Sequence, residues 1–336
     1  MRTPGFWYGS GGAAGAALGW ALAPLGALYG LAGRLRMAAG RPDRAAVPVV
    51  CVGNLVAGGA GKTPVCIALA DALRARGVAP TFLTRGHGGS ERGPLAVDLG
   101  RHDSAAVGDE ALLLAAHGPC WVARDRAAGA RAAVAAGASF LVMDDGFQNP
   151  GLAKDLSLIV VDGAVGFGNG HLVPAGPLRE PVAHGLARAG AVVVLGEDRA
   201  GVERRVAGAL PVLHARLEPV ESARALAGQT VLAFAGIGRP EKFFATLEAL
   251  GARVVERAAF ADHHPYRPEE VMALVDRASA LGAVPVTTVK DAVRLPDPLR
   301  ALVRTVPVRA VWEDPAALDR PLAPVLTALP TGVPHG

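Results

Sequence analysis

Cysteine is scarce here: Cys51, Cys66 and Cys120 are the three in 336 residues, isolated and without a CxxC pair. That excludes a disulfide framework and a cysteine-based zinc site, and it fits a reducing cytosol. Aromatic residues make up only 5% of the chain, and no basic stretch is interleaved with them. A nucleic-acid partner is therefore not expected. Charge of one sign is also lacking, since the formal balance is +4. So modest an excess hints at an anionic partner without demanding a polyanion. No internal repeat and no His-rich tract is visible. Glycine, alanine and apolar residues are plentiful, and the length suffices for two ordinary domains.

The most informative segment is Val47-Pro-Val-Val-Cys-Val-Gly53-Asn-Leu-Val56-Ala57-Gly58-Gly59-Ala60-Gly61-Lys62-Thr63-Pro64. It reads as a buried strand, a glycine-rich turn and a helix start, the arrangement of a phosphate-binding loop. Glycines let successive N–H groups face an anion, and the helix N-terminus adds partial positive charge. Val56, Ala57, Gly58, Gly59, Ala60 and Gly61 would cradle the phosphates. Lys62 would reach the β- and γ-phosphates, and Thr63 would sit on a magnesium ion. Val56 stands where the strict pattern has its outer glycine.

Upstream, Gly9–Gly33 is uncharged, preceded by Phe6, Trp7 and Tyr8 and followed by Arg34, Arg36, Arg41 and Arg44. Spanning a bilayer takes roughly 20 apolar residues, but Pro24 and many glycines interrupt this run. A cleaved signal peptide is disfavoured, because it would export a nucleotide-binding protein away from its ATP. The expectation is an interfacial helix over residues 1–40, with aromatics at the headgroups and arginines on an anionic membrane surface. Packing of that helix on the protein itself is the alternative.

Beyond Pro48, short β-branched runs alternate with helical ones, which predicts an α/β fold with a mainly parallel sheet. The predicted P-loop domain covers residues 41–225. Its strands are Val49–Val52, Thr81–Thr84, Cys120–Ala123, Ser139–Met143, Leu156–Val161, Ala191–Leu195 and Val212–Leu217. Helices are predicted at Lys62–Arg76, Asp109–Ala116, Arg124–Ala136 and Ala200–Ala209. A long Gly/Pro-rich loop lies between Gly163 and Gly185. A second, smaller α/β domain is predicted over residues 226–336. Its strands are Thr230–Ala235, Arg253–Phe260, Val284–Val289 and Val308–Trp312, and its helices Arg239–Leu250 and Pro268–Leu281. A cleft between the two would hold the ligand.

A phosphate loop needs a carboxylate for its magnesium at a nearby strand end. Phe140-Leu-Val-Met143 followed by Asp144-Asp145-Gly146 supplies one, although a plain Asp-Gly turn has the same look. Asp109 and Glu110 open a helix. They fit a favourable meeting with the helix dipole as well as they fit a catalytic base or magnesium-shell group. In Asp262-His263-His264-Pro265-Tyr266, carboxylate beside histidine can tune a proton acceptor; solvated histidines in a helix-entry loop are the other reading. Arg85 and Arg179 could clamp anions.

Taken together the motifs resemble the tetraacyldisaccharide 4′-kinase family, the lipid A 4′-kinases of Gram-negative bacteria. The resemblance runs through Pro4-Gly-Phe-Trp-Tyr8, Val52-Gly-Asn54 to Pro64, Arg85-Gly86, Gly108-Asp-Glu110 and Asp144-Asp-Gly-Phe-Gln148. It continues in Val173-Pro-Ala-Gly-Pro-Leu-Arg-Glu180, Phe234-Ala-Gly-Ile-Gly-Arg-Pro240, Asp262-His-His-Pro-Tyr266 and Lys290-Asp-Ala-Val-Arg294. The family's loop itself lacks the outer glycine.

The resemblance implies transfer of the ATP γ-phosphoryl group to the 4′-hydroxyl of an acylated glucosamine disaccharide 1-phosphate embedded in membrane. It places the protein at the cytoplasmic face of the bacterial inner membrane. It implies Asp109 as base or hydroxyl-orienting group with His263 as partner, and Lys62 and Thr63 serving ATP and Mg²⁺. It implies Glu110, Asp144 and Asp145 around the metal, and Arg85, Asn54, Gln148 and Arg179 toward substrate. His87, Ala111 and Asn149 depart from the family's usual tyrosine, proline and histidine. Two other P-loop classes compete. A membrane-associated ATPase switch of the partitioning type carries a lysine just before Gly-Gly, where this chain has Ala57. A GTP-dependent metallochaperone would want a His-rich tract or CxxC.

Overall fold

The computed structural model describes residues 4–9 and 11–328. The first eight strands are β1 (Val49–Gly53), β2 (Thr81–Thr84), β3 (Leu95–Ala96), β4 (Cys120–Val122), β5 (Leu141–Asp144), β6 (Leu156–Asp162), β7 (Ala191–Leu195) and β8 (Val212–Pro219). Four more, β9 (Thr230–Ala235), β10 (Arg253–Ala259), β11 (Val284–Thr288) and β12 (Arg304–Val306), form a separate sheet, and β13 (Val308–Trp312) follows. The larger sheet runs β13-β8-β7-β6-β1-β5-β2-β4-β3, and the smaller runs β10-β9-β11-β12. Pairing is parallel except at the two edges of the larger sheet, where β3 and β13 are antiparallel.

The central strands are mostly apolar because helices cover both faces, as a parallel sheet requires. β1, β5, β6 and β7 are buried at every position. On one face the helix Lys62–Arg74 packs Val65, Leu69 and Leu73 against Val50, Val142 and Leu158. On the other, Ala130 and Ala133 of the helix Arg126–Ala135 meet Leu83 and Leu141. The smaller sheet is likewise sandwiched, by Phe243, Phe244 and Leu247 on one side and Val271 and Ala278 on the other.

β1 lies between β5 and β6, and its exit is the glycine-rich loop. A ligand crevice forms outside the carboxyl ends of parallel strands where connections diverge. The loop, Asp144 at the end of β5 and Asp162 at the end of β6 therefore share one rim.

The last strand corrects the sequence reading. Val308–Trp312 does not extend the smaller sheet; it returns to pair antiparallel with β8, Trp312 opposite Ala215. Its reason is packing: the Trp312 indole donates to the Ala68 carbonyl at 3.2 Å. Leu318, Leu322 and Val325 then join the core of the larger unit. The four-stranded unit is thus an insertion between β8 and β13, anchored at both ends.

The helix Gly12–Ala38 has Gly19, Gly26 and Gly30 as its buried positions. These glycines form a bare seam against the long loop: a Cβ on Gly26 would lie 3.0 Å from the Leu172 carbonyl oxygen, and one on Gly30 would lie 2.5 Å from Leu172 Cδ1. The opposite side exposes Leu18, Trp20, Leu25, Leu28, Leu31 and Leu35. Among the described residues this is the one helix long and apolar enough to cross a membrane.

Candidate active site

Gly61 is left-handed at φ +79° and opens the helix Lys62–Arg74 without a side-chain cap. The first N–H groups of that helix therefore await an acceptor, which is what an anion site needs. A Cβ on Gly61 would strike Leu195 Cδ2 at 2.3 Å, so the turn is closed to larger residues. The Gly163–Gly185 loop braces it from outside: the Ala57 N–H donates to the Pro177 carbonyl and the Arg179 N–H to the Leu55 carbonyl, both at 2.7 Å. Lys62 is buried beneath the loop.

Thr63 Oγ1 donates to Asp144 Oδ2 at 2.9 Å. Asp144 is fully buried, and its Oδ1 has no hydrogen-bond partner among the described residues. Burial and the Glu110 charge push its carboxyl up to about 7. Asp145 is the opposite case. Burial would raise it, but Lys62 at 3.6 Å and Arg179 at 3.0 Å outweigh that and pull it to about 2. Asp145 also adopts φ +51°, a rarely populated conformation for a non-glycine residue.

The donor set suits a hard cation. A buried orphan carboxylate oxygen beside a threonine hydroxyl is the kind of oxygen donor pair that a magnesium ion would take. Among the described residues no three of His, Cys, Asp or Glu converge as a full metal cage. Asp145 meets both Lys62 and Arg179 through its Oδ1.

Across the cleft, Gly108 at φ +85° starts the helix Asp109–Ala115. A Cβ there would lie 2.3 Å from the His87 carbonyl oxygen. Asp109 is buried, and its Oδ1 accepts from the Glu110 N–H at 2.9 Å. Its Oδ2 lies 3.1 Å from His263 Nδ1. His263 reaches it from the insertion, strained at φ +58°. Its other nitrogen, Nε2, lies 3.3 Å from Lys290 Nζ. An ammonium can only donate, so the contacts favour the tautomer with the proton on Nδ1. Burial opposes ionisation of Asp109, but His263, Lys290 and Arg294 outweigh it and hold the carboxyl below its usual range.

Lys290 sits among Glu110 at 3.4 Å, Asp109 at 3.9 Å and Asp262 at 4.0 Å. Burial would lower its ammonium; these carboxylates outweigh that and raise it. Arg294 binds the Gly236 and His264 carbonyls, each at 3.0 Å, and lies 3.5 Å from Asp109 Oδ2. Asp291, fully buried, accepts from Arg294 Nη2, the Tyr266 hydroxyl and the Gly236 N–H, each at 2.8 Å. This network fixes the His263 loop.

Lys62, Thr63 and His263 line one cleft of ≈ 2080 Å³ together with Glu110, Arg85, Asp145, Gln148 and Arg179, while Asp109 and Asp144 are buried just behind that lining, against His263 and Thr63 respectively. Asn54 lies outside the lining, fully buried, with both side-chain polar atoms unpartnered among the described residues. Gln148 donates to the Asn54 carbonyl at 2.9 Å and to Glu180 at 3.0 Å. Of the departures from the family pattern, His87 packs its ring edge-on against His263 at 5.3 Å. It occupies an aromatic's place.

Sequence reasoning gave Lys290 and Arg294 no role in the site, although the motif Lys290-Asp-Ala-Val-Arg294 was among those that carried the resemblance. It also missed Arg126, buried with Nε unpartnered among the described residues. Burial and the Arg85 charge lower its guanidinium to about 10. Nothing in an alanine-rich helix start announces such a residue.

A phosphate loop at the carboxyl end of a parallel sheet, faced by an Asp–His pair from across a cleft, defines a P-loop phosphotransferase. Comparison with known proteins narrows the class. The model of the family described as tetraacyldisaccharide-1-P 4′-kinase matches residues 18–327. The tetraacyldisaccharide 4′-kinase of Rhodospirillum centenum is 61% identical over 328 residues, covering 97% of each chain. That of Gluconacetobacter diazotrophicus is 58% identical over 320 residues, 95% of this chain and 97% of the relative. The crystal structure of LpxK from Aquifex aeolicus in complex with ATP superposes with a TM-score of 0.71 at 26% identity, covering 92% of this chain and 99% of that one. The chain belongs to the tetraacyldisaccharide-1-P 4′-kinase family.

Proposed function

We propose that this chain transfers the γ-phosphoryl group of ATP to the 4′-hydroxyl of a tetraacyl glucosamine disaccharide 1-phosphate. The observation that carries the reading is the Asp109–His263 contact of 3.1 Å, facing Lys62 and Thr63 across one cleft. Phosphoryl transfer is mostly positioning and charge neutralisation. Lys62 meets the β- and γ-phosphates while Asp145 anchors its ammonium. Asp109, held ionised, accepts the sugar hydroxyl and its proton as the new P–O bond forms, and His263 fixes the carboxylate's direction. Magnesium would be held by Thr63 and Asp144, with Glu110 beyond, and when bound it neutralises charge on the transferring phosphoryl group.

The four-stranded insertion closes over the cleft and excludes water, because it supplies His263, Lys290 and Arg294. Arg85, Arg126 and Arg179 face the anionic acceptor. The Gly12–Ala38 helix lies in the cytoplasmic face of the inner membrane and ends beside the cleft, where Tyr29, Gly33, Arg36 and Met37 join the lining. Extracting acyl chains costs ~0.8 kcal/mol per CH₂, so the enzyme reaches a substrate still seated in lipid. Asp109→Ala should cut transfer by roughly 10²–10⁴-fold while ATP binding, measured calorimetrically, stays within about twofold of wild type. Near-normal transfer by this variant would remove Asp109 from the mechanism.

A further inference from the structure

Asp162 closes β6, the strand beside the one that feeds the phosphate loop, and its side chain is almost wholly buried. Its Oδ1 accepts from the Ala164 N–H at 3.0 Å. Its Oδ2 receives two cations at once, Arg239 Nη1 at 2.7 Å and Lys242 Nζ at 2.8 Å. Both cations come from the four-stranded insertion, at the start of the helix Pro240–Ala249. One carboxylate for two cations leaves an excess positive charge inside the cleft. The preceding residue, Gly238, runs against the phosphate loop: a Cβ built on it would lie 3.1 Å from the Gly59 nitrogen and 3.5 Å from Asp262 Oδ2. Arg239 and Lys242 are therefore poised beside the loop whose N–H groups await phosphate, yet they are spent on a group with no other evident task.

We infer that Arg239 and Lys242 are phosphate-binding residues for ATP, held on Asp162 until the nucleotide enters and then exchanged from its carboxylate to the triphosphate. This rests on ATP being the nucleotide of the proposed kinase site. The exchange is a competition between two anions. Both cationic side chains are about 40% exposed (38% for Arg239 and 41% for Lys242) and free to swing, whereas Asp162 is only 6% exposed. Leaving its carboxylate with the Ala164 N–H alone is costly, so the triphosphate must hold the two cations more strongly than Asp162 does. A triphosphate offers several charged oxygens in place of one, and a guanidinium matches phosphate bidentately. Because the cations ride on the insertion, the exchange also draws Gly238 down on Gly59 and carries His263 with it. Gly238 has no side chain to obstruct that approach.

The test is calorimetric binding of ATP and of AMP to the full-length chain in one magnesium buffer, without lipid. Arg239→Gln and Lys242→Gln should each weaken ATP binding by about tenfold and leave AMP binding unchanged, and Arg239→Lys should recover part of the loss. Asp162→Asn should tighten ATP binding, because the competing carboxylate is gone. A structural bridge would behave the other way, with Asp162→Asn and Arg239→Gln losing affinity together. That result, or equal effects on ATP and AMP, overturns the inference. Should Asp162→Asn fail to fold, the ATP-to-AMP affinity ratio of Arg239→Gln against Arg239→Lys decides alone. A lipid phosphorylation assay on the same wild-type preparation separates the two proposals: ATP binding without lipid product sinks the acceptor assignment and leaves this one standing.

Discussion

Asp144 and Asp145 are neighbours in sequence and opposites in electrostatics. The first is pushed up to about 7 because burial and Glu110 outweigh the pull of Lys62; the second is drawn to about 2 by Lys62 and Arg179. A buried carboxyl whose folded pKa lies above the unfolded value stabilises the protein below the unfolded value, and that contribution fades as pH rises through the folded one. In chelator, the thermal midpoint should therefore fall between about pH 4 and pH 7, and Asp144→Asn should remove that component. Added magnesium should restore stability at pH 8 in wild type only. Superimposable pH curves for the two proteins would contradict this account of Asp144. Both aspartates were legible in the sequence as a pair at a strand end. Their division of labour was not, because it depends on Arg179, thirty-four positions along. From its own residues Asp109 fitted a helix-dipole role and a catalytic one equally, and only the family resemblance pointed to the base; its burial, with Oδ2 3.1 Å from His263 Nδ1, was not readable.

At the scale of elements, the Gly12–Ala38 helix combines a bare glycine seam with an exposed apolar side. Trp20 and Leu28 are 70% and 63% exposed, which water alone does not favour. Replacing both by glutamate should leave the fold intact and cut recovery on anionic vesicles by roughly a hundredfold, since each large side chain moved into an apolar phase is worth about 1.5–3 kcal/mol. Unchanged flotation would contradict the interfacial reading. The glycine-rich strand-turn-helix was readable because each step has a local cause: β-branched residues, then positive-φ glycines, then an apolar helical face. β3, with two residues, was too short to show any period, and the docking bed for the N-terminal helix is an irregular loop with no pattern to read.

The molecule as a whole is held together by a strand that the sequence reading assigned to the smaller sheet and that pairs with β8 of the larger one. Val308–Trp312 is apolar at four of its five positions, which suits either sheet, and nothing local selects β8 over the smaller sheet. The choice is made by Trp312 packing on the helix that carries Lys62 and Thr63. Trp312→Ala should cost about 3–5 kcal/mol and lower the thermal midpoint by several degrees. It should also weaken ATP binding, because the same helix presents the phosphate loop. A stable variant with normal ATP affinity would show that β13 does not brace the site.

The proposed chemistry joins ATP to a lipid-sugar hydroxyl in one cleft. The most direct measurement incubates the full-length chain with γ-labelled ATP, magnesium and tetraacyl disaccharide 1-phosphate in detergent, and locates label in the lipid product. We expect a bis-phosphorylated lipid labelled at the 4′ position, absent with Asp109→Ala. Release of labelled inorganic phosphate with none in the lipid would contradict the claim.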